Sequence, residues 1–248
     1  YQPLMRIVGL DADAVFTHPQ IIPWRTLPDR DNCTLDAMID GKSIRLHIKR
    51  YRPARGSARA AQDEVNGLTA LQSAEIPTIP LVGWGSLQDR RSFVITEHLA
   101  DYRAADKLVA GGMSFDALVD STARLAAQLH SRGLHHRDLY LCHFFVREDD
   151  PNDIRLIDPA RVRRFGSALT RARWIVKDLA QFCYSLQTSS VDDAMRDRWL
   201  DRYAEKRQIA MTPRLRRAIL RKVRSIARHD AKLRKSQPTR NISIPEGT

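Results

Sequence analysis

The spacing of apolar residues changes period along the chain. From Cys33 a strand-like stretch runs to Asp40-Gly41, a dipeptide that tolerates positive φ and favours a tight hairpin turn. In Ser43 to Arg50, Ile44, Leu46 and Ile48 alternate with Arg45, His47 and Lys49, which predicts a second strand with Lys49 pointing away from the apolar face. After a basic loop, Ala61, Val65, Leu68 and Leu71 recur at helical spacing. That helix is expected to end before Ile76-Pro77, with Glu64 on the flank of its apolar stripe. Ser92 to Thr96 (SFVIT) reads as a short strand, and Glu97 to Ala100 as the lead into another helical region. Phe115, Leu118, Thr122, Leu125, Ala126 and Leu129 predict a long amphipathic helix stopped by Gly133. The apolar run Ile154 to Ile157 follows an acidic hairpin-like turn, EDDPND.

These elements predict an α+β chain, strand-rich up to Thr96 and mainly helical after Ser114, in two lobes joined near Glu97. The expected division is 33–98 for the first lobe and 99–235 for the second. Residues 1–32, with four prolines and little periodicity, read as an extension or an irregular first strand, and the polar tail from 236 to 248 as disordered.

Composition sharpens this picture in four ways. With 43% apolar and 28% charged residues, the 248-residue chain is an ordinary globular protein. It has no apolar run of membrane-spanning length and no signal-peptide pattern, so a cytoplasmic location is expected. Cys33, Cys142 and Cys183 form no CxxC pair, which argues against a zinc site or a disulfide framework. The net charge of +12 calls for an anionic partner, and Arg214 to Lys235 carries ten of the cations against one acid, Asp230. Leu215, Ile219, Val223, Ile226 and Leu233 lie along one helical face of that stretch. Two readings stay open for it: a last helix with its charges in water, or a helix held at an anionic membrane surface. Few aromatic residues interleave the cations, so nucleic acid is not expected as a partner.

The chemistry concentrates in Gly133 to Val146, GLHHRDLYLCHFFV, where His136-Arg137-Asp138 falls between a helix stop and a buried strand-like run. A kinase catalytic loop needs this setting, since its Asp orients, or takes the proton from, the attacking hydroxyl. His143 occupies the fifth position after Asp138, where a metal-holding residue normally stands, and Asp158 follows at the end of the apolar strand, where a magnesium-holding Asp belongs. Upstream, Lys49 can neutralise nucleotide phosphates and Glu64 can hold Lys49 by an ion pair. Singly these residues mean little, because strand lysines and helix glutamates are usually solvated surface. Their order on the predicted elements is what points to a kinase.

The HRDLYLCHFFV segment resembles the most specific motif of the bacterial lipopolysaccharide kinases, which phosphorylate heptose or Kdo sugars of the inner core. Arg173 to Leu186 (RWIVKDLAQFCYSL) and Asp63 to Leu71 followed by IPTIPLVGWG are similar to further segments of that family. The resemblance covers roughly residues 43–205. It implies a protein-kinase-like fold, ATP and Mg2+ as cofactors, and a lipid-linked anionic glycan as substrate, met on the cytoplasmic face of the inner membrane. On this reading Asp138, His136, Arg137 and His143 are the catalytic candidates, Lys49, Glu64, Glu97 and Leu99 the nucleotide-binding ones, and Asp158, with His143 as a weaker second, the metal ligand.

Three departures accompany the resemblance. Leu27 to Asp40 contains no glycine to cover the phosphates, His143 stands where protein kinases carry Asn, and Pro159-Ala160-Arg161 replaces the family's Leu-His-Arg. Arg161, Arg163, Arg164, Arg171 and Arg173 read either as a solvated loop or as the lining of an acceptor site. Asp178 is expected to reach the catalytic-loop backbone from the start of a helix, and Cys142 and Phe144 to fill the core. A protein kinase is disfavoured by the missing DFG and APE segments; a pseudokinase or basic scaffold is the remaining alternative.

Overall fold

The computed structural model describes residues 11–39, 41–53 and 57–236, and these fall into two compact units. The first unit comprises residues 11–69 and 78–100, and the second 70–77 and 101–236. The expectations placed on residues 1–10, on Asp40 and on the tail beyond Ser236 lie outside the described residues.

The first unit is built on a five-stranded antiparallel sheet of order β1-β2-β3-β5-β4. Its strands are β1 (Ile22–Thr26), β2 (Arg30–Ile39), β3 (Lys42–Tyr51), β4 (Leu81–Ser86) and β5 (Ser92–Glu97). A short helix, α1 (Ala14–Thr17), precedes it, and α2 (Ser57–Ser73) crosses between β3 and β4. The strand predicted around Ser43 to Arg50 is β3, and Gly41 at its entry has φ +73°, as the hairpin requires.

One expectation about this sheet needs correcting. The alternation in β3 marked one face as polar, yet both faces are covered. Leu46, Ile48 and Ile95 pack with Val15, Cys33 and Phe93, while Tyr51 and Val94 pack under Ala61, Val65 and Leu68 of α2. Glu64, on the flank of the apolar stripe of α2, is therefore 1% exposed.

Strand β4 was invisible to periodicity because Gly83 and Gly85 interrupt it. A Cβ at Gly85 would lie 2.9 Å from the Phe93 ring, so the gap in the pattern is what lets the two strands pair. The stretch read as an extension or an irregular first strand contains β1, which pairs with β2 across a bulge between Pro23 and Arg25.

The second unit is mainly helical. After β6 (Tyr102–Ala104) and α3 (Ala105–Ala110) comes α4 (Asp116–Ser131), which buries Leu118, Val119, Thr122, Leu125, Ala126 and Leu129 at three- and four-residue spacing. Glu97 to Ala100 thus leads into a strand before the helix, because Arg103 pairs with Val146 across the sheet. Gly133, at φ +79°, ends the α4 turn. The short β7 (Leu134–His135) pairs with β10 (Arg163–Arg164). The hairpin β8 (Phe144–Arg147) and β9 (Ile154–Leu156) joins β6 in a three-stranded sheet of order β6-β8-β9.

Three helices follow: α5 (Ala168–Thr188), α6 (Asp193–Arg207) and α7 (Pro213–Ser236). Phe182 of α5 stacks on Trp199 of α6 with ring centroids 4.0 Å apart, and Ile219 and Val223 of α7 are buried in the same core. Leu215 and Ile226 of the same stripe pack against that core, so most of the apolar face of the basic C-terminal helix is used in packing. Its cations remain on the outer faces.

Candidate active site

The candidate residues divide between the units, and each group is built separately. In the first unit Lys49 Nζ donates to Glu64 Oε1 at 2.6 Å, and Tyr51 Oη donates to Glu64 Oε2 at 2.9 Å. Lys49 and Tyr51 are two apart on β3 and so share a face, which brings both donors to one buried carboxylate. Removing one partner of a buried pair costs about 3–5 kcal/mol, so this pair fixes where the ammonium sits. The Lys49 side chain keeps 27% of its surface exposed, leaving the cation accessible to an anion. Tyr51 was not a candidate, although its position two residues after Lys49 was the available signal. Glu97 ends β5 opposite Leu46, with its amide on the Pro80 carbonyl at 3.1 Å, and Leu99 is buried just before the chain leaves this unit.

In the second unit a loop between β7 and β8 carries His136, Arg137, Asp138 and His143. Arg137 lies in the left-handed region at φ +71°, a turn that a non-glycine residue adopts only under constraint. The constraint is Asp178, whose Oδ2 accepts from the His136 amide at 2.7 Å and whose Oδ1 accepts from the Arg137 amide at 2.8 Å. Asp178 reaches the loop as expected, but from the middle of α5. The helix begins at Ala168, so an N-terminal location for this acid is corrected.

Burial works against the charge of Asp178, yet the His130 hydrogen bond, the two imidazoles of His130 and His136, and the His136 amide outweigh it and hold its pKa below the usual carboxylate range. His130 is kept neutral by burial, with Nε2 donating to Asp178 at 3.3 Å and Nδ1 accepting from Tyr203 Oη at 2.7 Å. Helices α4, α5 and α6 are thus tied to the loop through one buried chain of groups.

The loop is also tied to the end of β9. His136 Nε2 donates to the Ile157 carbonyl at 3.1 Å, and the Ile157 amide donates to the His143 carbonyl at 2.9 Å. Asp158 follows at φ +56°, half-exposed, the second left-handed residue here. His143 Nδ1 donates to the Asp138 carbonyl at 2.6 Å, while its Nε2 faces Asp158 Oδ2 at 3.7 Å. Burial opposes a charge on this ring, but the Cys142 sulfur, the Asp158 carboxylate and the Asp138 carbonyl prevail and push its pKa up to about 10. Both ring nitrogens are therefore turned to oxygens of the chain.

Two candidates sit differently from the simple reading of the motif. The Arg137 guanidinium lies 4.4 Å over the Trp174 ring, which in turn stacks on His135. Its visible work is to brace the loop. The Asp138 carboxylate is covered by Arg161, whose Nη1 donates to Oδ1 at 3.1 Å and Oδ2 at 3.0 Å, and Gln181 Nε2 donates to Oδ1 at 3.3 Å. Neither contact was foreseen; an Arg three residues beyond Asp158 was the only sequence signal for the first. Phe144 is buried as expected, whereas Cys142 is partly exposed.

A model of the lipopolysaccharide kinase (Kdo/WaaP) family matches residues 30–203, most of the chain. The chain belongs to the lipopolysaccharide kinase (Kdo/WaaP) family. Within this Kdo/WaaP group, lipopolysaccharide core heptose(I) kinase WaaP of Pseudomonas aeruginosa is 28% identical over 178 residues, covering 61% of this chain and 66% of that protein. The protein of the same name from Escherichia coli is 27% identical over 175 residues, 64% of each chain. The chain thus spans slightly less than two thirds of the length of these relatives. Among solved structures, an aminoglycoside-3'-phosphotransferase of type VIII is similar at a TM-score of 0.56 and 17% identity, over 84% of this chain and 96% of that one. The fold of this Kdo/WaaP member is α+β and protein-kinase-like, with a strand-rich first unit and a helical second one.

Proposed function

We propose that this chain transfers a phosphoryl group from ATP to a hydroxyl of a lipopolysaccharide inner-core sugar, heptose or Kdo. The observation that carries the reading is the loop of Asp138: a strained turn clamped by Asp178 from below and by His143 from the side, on a chain of this family. Such bracing holds a carboxylate where a general base or hydroxyl-orienting group has to stand.

The residues present fit the cofactors. Magnesium commonly binds one or two carboxylates and completes its shell with water and substrate phosphates, so the single half-exposed carboxylate of Asp158 is a sufficient anchor. His143 fits this role poorly, because a protonated ring engaged with two oxygens has no lone pair for a cation. It is assigned to positioning Asp138. When bound, ATP with magnesium supplies the phosphoryl group and spreads the charge that develops on its oxygens. Lys49, fixed by Glu64, would hold the α- and β-phosphates, and Glu97 and Leu99 would border the base. Asp138 would orient the acceptor hydroxyl and take its proton.

The outer cations of α7 support a place at the anionic surface that carries a lipid-linked acceptor. Among the described residues no helix is long and apolar enough to cross a membrane. With Ile219 and Val223 committed to the core, any membrane attraction would be electrostatic and screened within about 10 Å at 0.1 M salt. Neutralising four cations between Arg214 and Arg228 should weaken sedimentation with anionic vesicles, and unchanged sedimentation would make these charges a solvated face.

The function itself is tested by incubating the protein and magnesium-ATP with defined inner-core acceptors and weighing the products. A heptose- or Kdo-containing acceptor that gains one phosphoryl group is expected. ATP consumed with no glycan modified would overturn the acceptor assignment.

A further inference from the structure

The second unit contains an open cavity of about 540 Å³ between residues 172–177 of α5, Lys222 of α7 and the turn that carries Arg161, the residue that covers Asp138. Four cations line it, Arg161, Arg173, Lys177 and Lys222, with no acid among the lining residues. Trp174 forms part of the wall, with the Arg173 guanidinium 5.3 Å from its ring. Among the described residues neither Arg173 nor Lys222 pairs with a carboxylate. Lys177 donates to the Arg137 carbonyl, and its pKa is lowered by burial, with Arg161 and Arg137 acting in the same direction and Asp138 and Asp178 against it. Positive charge is crowded here beyond what the chain's own acids balance, and such crowding favours an anion.

Two other arginines of this segment are engaged elsewhere. Arg163 donates to the Ala160 and Val162 carbonyls, and Arg171 lies over Phe165. Arg161 is the exception. Its side chain is 52% exposed, lines the cavity, and meanwhile covers both oxygens of Asp138. One guanidinium can bridge two carboxylate-like groups or move between them, because its fork offers several donors. The cavity meets the catalytic loop through Arg161, which lines it and covers Asp138, and through Lys177, which donates to the Arg137 carbonyl.

We propose that this cavity is a subsite for an anionic substituent of the acceptor glycan, a phosphate monoester or a carboxylate, and that Arg161 is shared between this anion and Asp138. An occupied subsite draws Arg161 toward the anion and frees the Asp138 carboxylate for the acceptor hydroxyl. Glycans already bearing an acidic group are then preferred, and the reaction that installs that group comes earlier. The coupling to the hydroxyl rests on the kinase reading, whereas the subsite and the competition for Arg161 do not.

Both are tested by binding, with Trp174 fluorescence as the reporter and ionic strength held constant. Inorganic phosphate, glucose 6-phosphate and glucuronate are titrated in turn against neutral glucose. A saturable change is expected with phosphate and with at least one of the two acidic sugars, the sugars separating ester from carboxylate. Glucose should give none. Trp174→Phe should abolish the signal, and Arg173→Ala with Lys222→Ala should weaken affinity by about tenfold. A response that survives both changes, or that only free phosphate elicits, overturns the subsite, and competition by ATP would transfer it to the nucleotide and overturn the acceptor assignment.

Shared use of Arg161 is read from a double-mutant cycle. Asp138→Asn should tighten phosphate binding several-fold, and this gain should vanish in an Arg161→Ala background. A gain that persists without Arg161 reflects simple repulsion by Asp138 and overturns the competition. No arm requires turnover, so failure of transfer to every glycan would contradict the kinase reading separately.

Discussion

Among the described residues each unit contains one buried carboxylate that positions something else, and the two do so for different objects. Glu64, 1% exposed, holds a single ammonium, that of Lys49, with Tyr51 as its second donor. Asp178, fully buried, holds no cation of its own; it holds two consecutive backbone amides and thereby the shape of a loop. The first arrangement fixes a charge on a strand that is already rigid. The second fixes a chain that would otherwise leave a strained turn. Damage to Glu64 should therefore misplace one charge, while damage to Asp178 should release Asp138, His136 and the Arg137 turn together.

The largest effect is expected from Asp178→Ala, which leaves two amides and His130 without their acceptor. A loss of about 3–5 kcal/mol and a fall in melting temperature of roughly 10 °C should accompany loss of transfer. Thermal melts that match the wild type would show that the loop holds its own shape. Next, Lys49→Met should lower kcat/KM for ATP by about a hundredfold or more, and Glu64→Gln by roughly tenfold, since glutamine still accepts from Tyr51 but no longer binds an ammonium as an ion pair. Full activity in Glu64→Gln would break the parallel between the two carboxylates.

The comparison extends to acid sensitivity. Each unit carries a histidine whose pKa is pushed down to about 4, His47 by burial and by the His98, Arg45 and Lys49 charges, and His135 by burial, which outweighs the opposing Asp178. A histidine with a lowered folded pKa takes up a proton first in the unfolded chain. Its contribution is intact above about pH 6.5 and is lost as pH falls toward 4, at no more than about 1.4 kcal/mol per pH unit for each ring. Urea midpoints should decline over that window, and His47→Gln should flatten the decline. An unchanged slope in that variant would remove His47 from the account.

The smallest effect concerns His143→Asn. If the ring serves only to hold Asp138, the shorter side chain should slow turnover several-fold without recovery at saturating magnesium. A lower magnesium requirement with turnover kept would instead make this position a metal ligand.

The parts of this molecule that sequence made legible are those written in local patterns. The α4 stripe, the β8–β9 hairpin with Asp158 after it, the strand of Lys49 and the helix of Glu64 all follow from period and punctuation. Strand β4 escaped because Gly83 and Gly85 interrupt the alternation, at Gly85 to make room for a neighbouring ring, while β1, broken by Pro23 and a bulge, was legible only as an extension or an irregular first strand. The burial of Glu64 escaped because its own helix, α2, packs back on the polar face of β3, a contact that periodicity alone does not announce. Arg161 on Asp138, and Tyr203 behind His130 and Asp178, are long-range contacts that no local pattern announces.

The central claim is that Asp138 directs an acceptor hydroxyl onto the phosphate of ATP. Its most direct measurement is transfer of labelled phosphate from ATP to an inner-core acceptor by the wild type and Asp138→Asn side by side, with melting temperatures recorded for both. Labelled glycan from the wild type is predicted, with a loss of about a hundredfold or more in Asp138→Asn and an unfolding free energy within about 1 kcal/mol of the parent. Transfer retained by Asp138→Asn would contradict it.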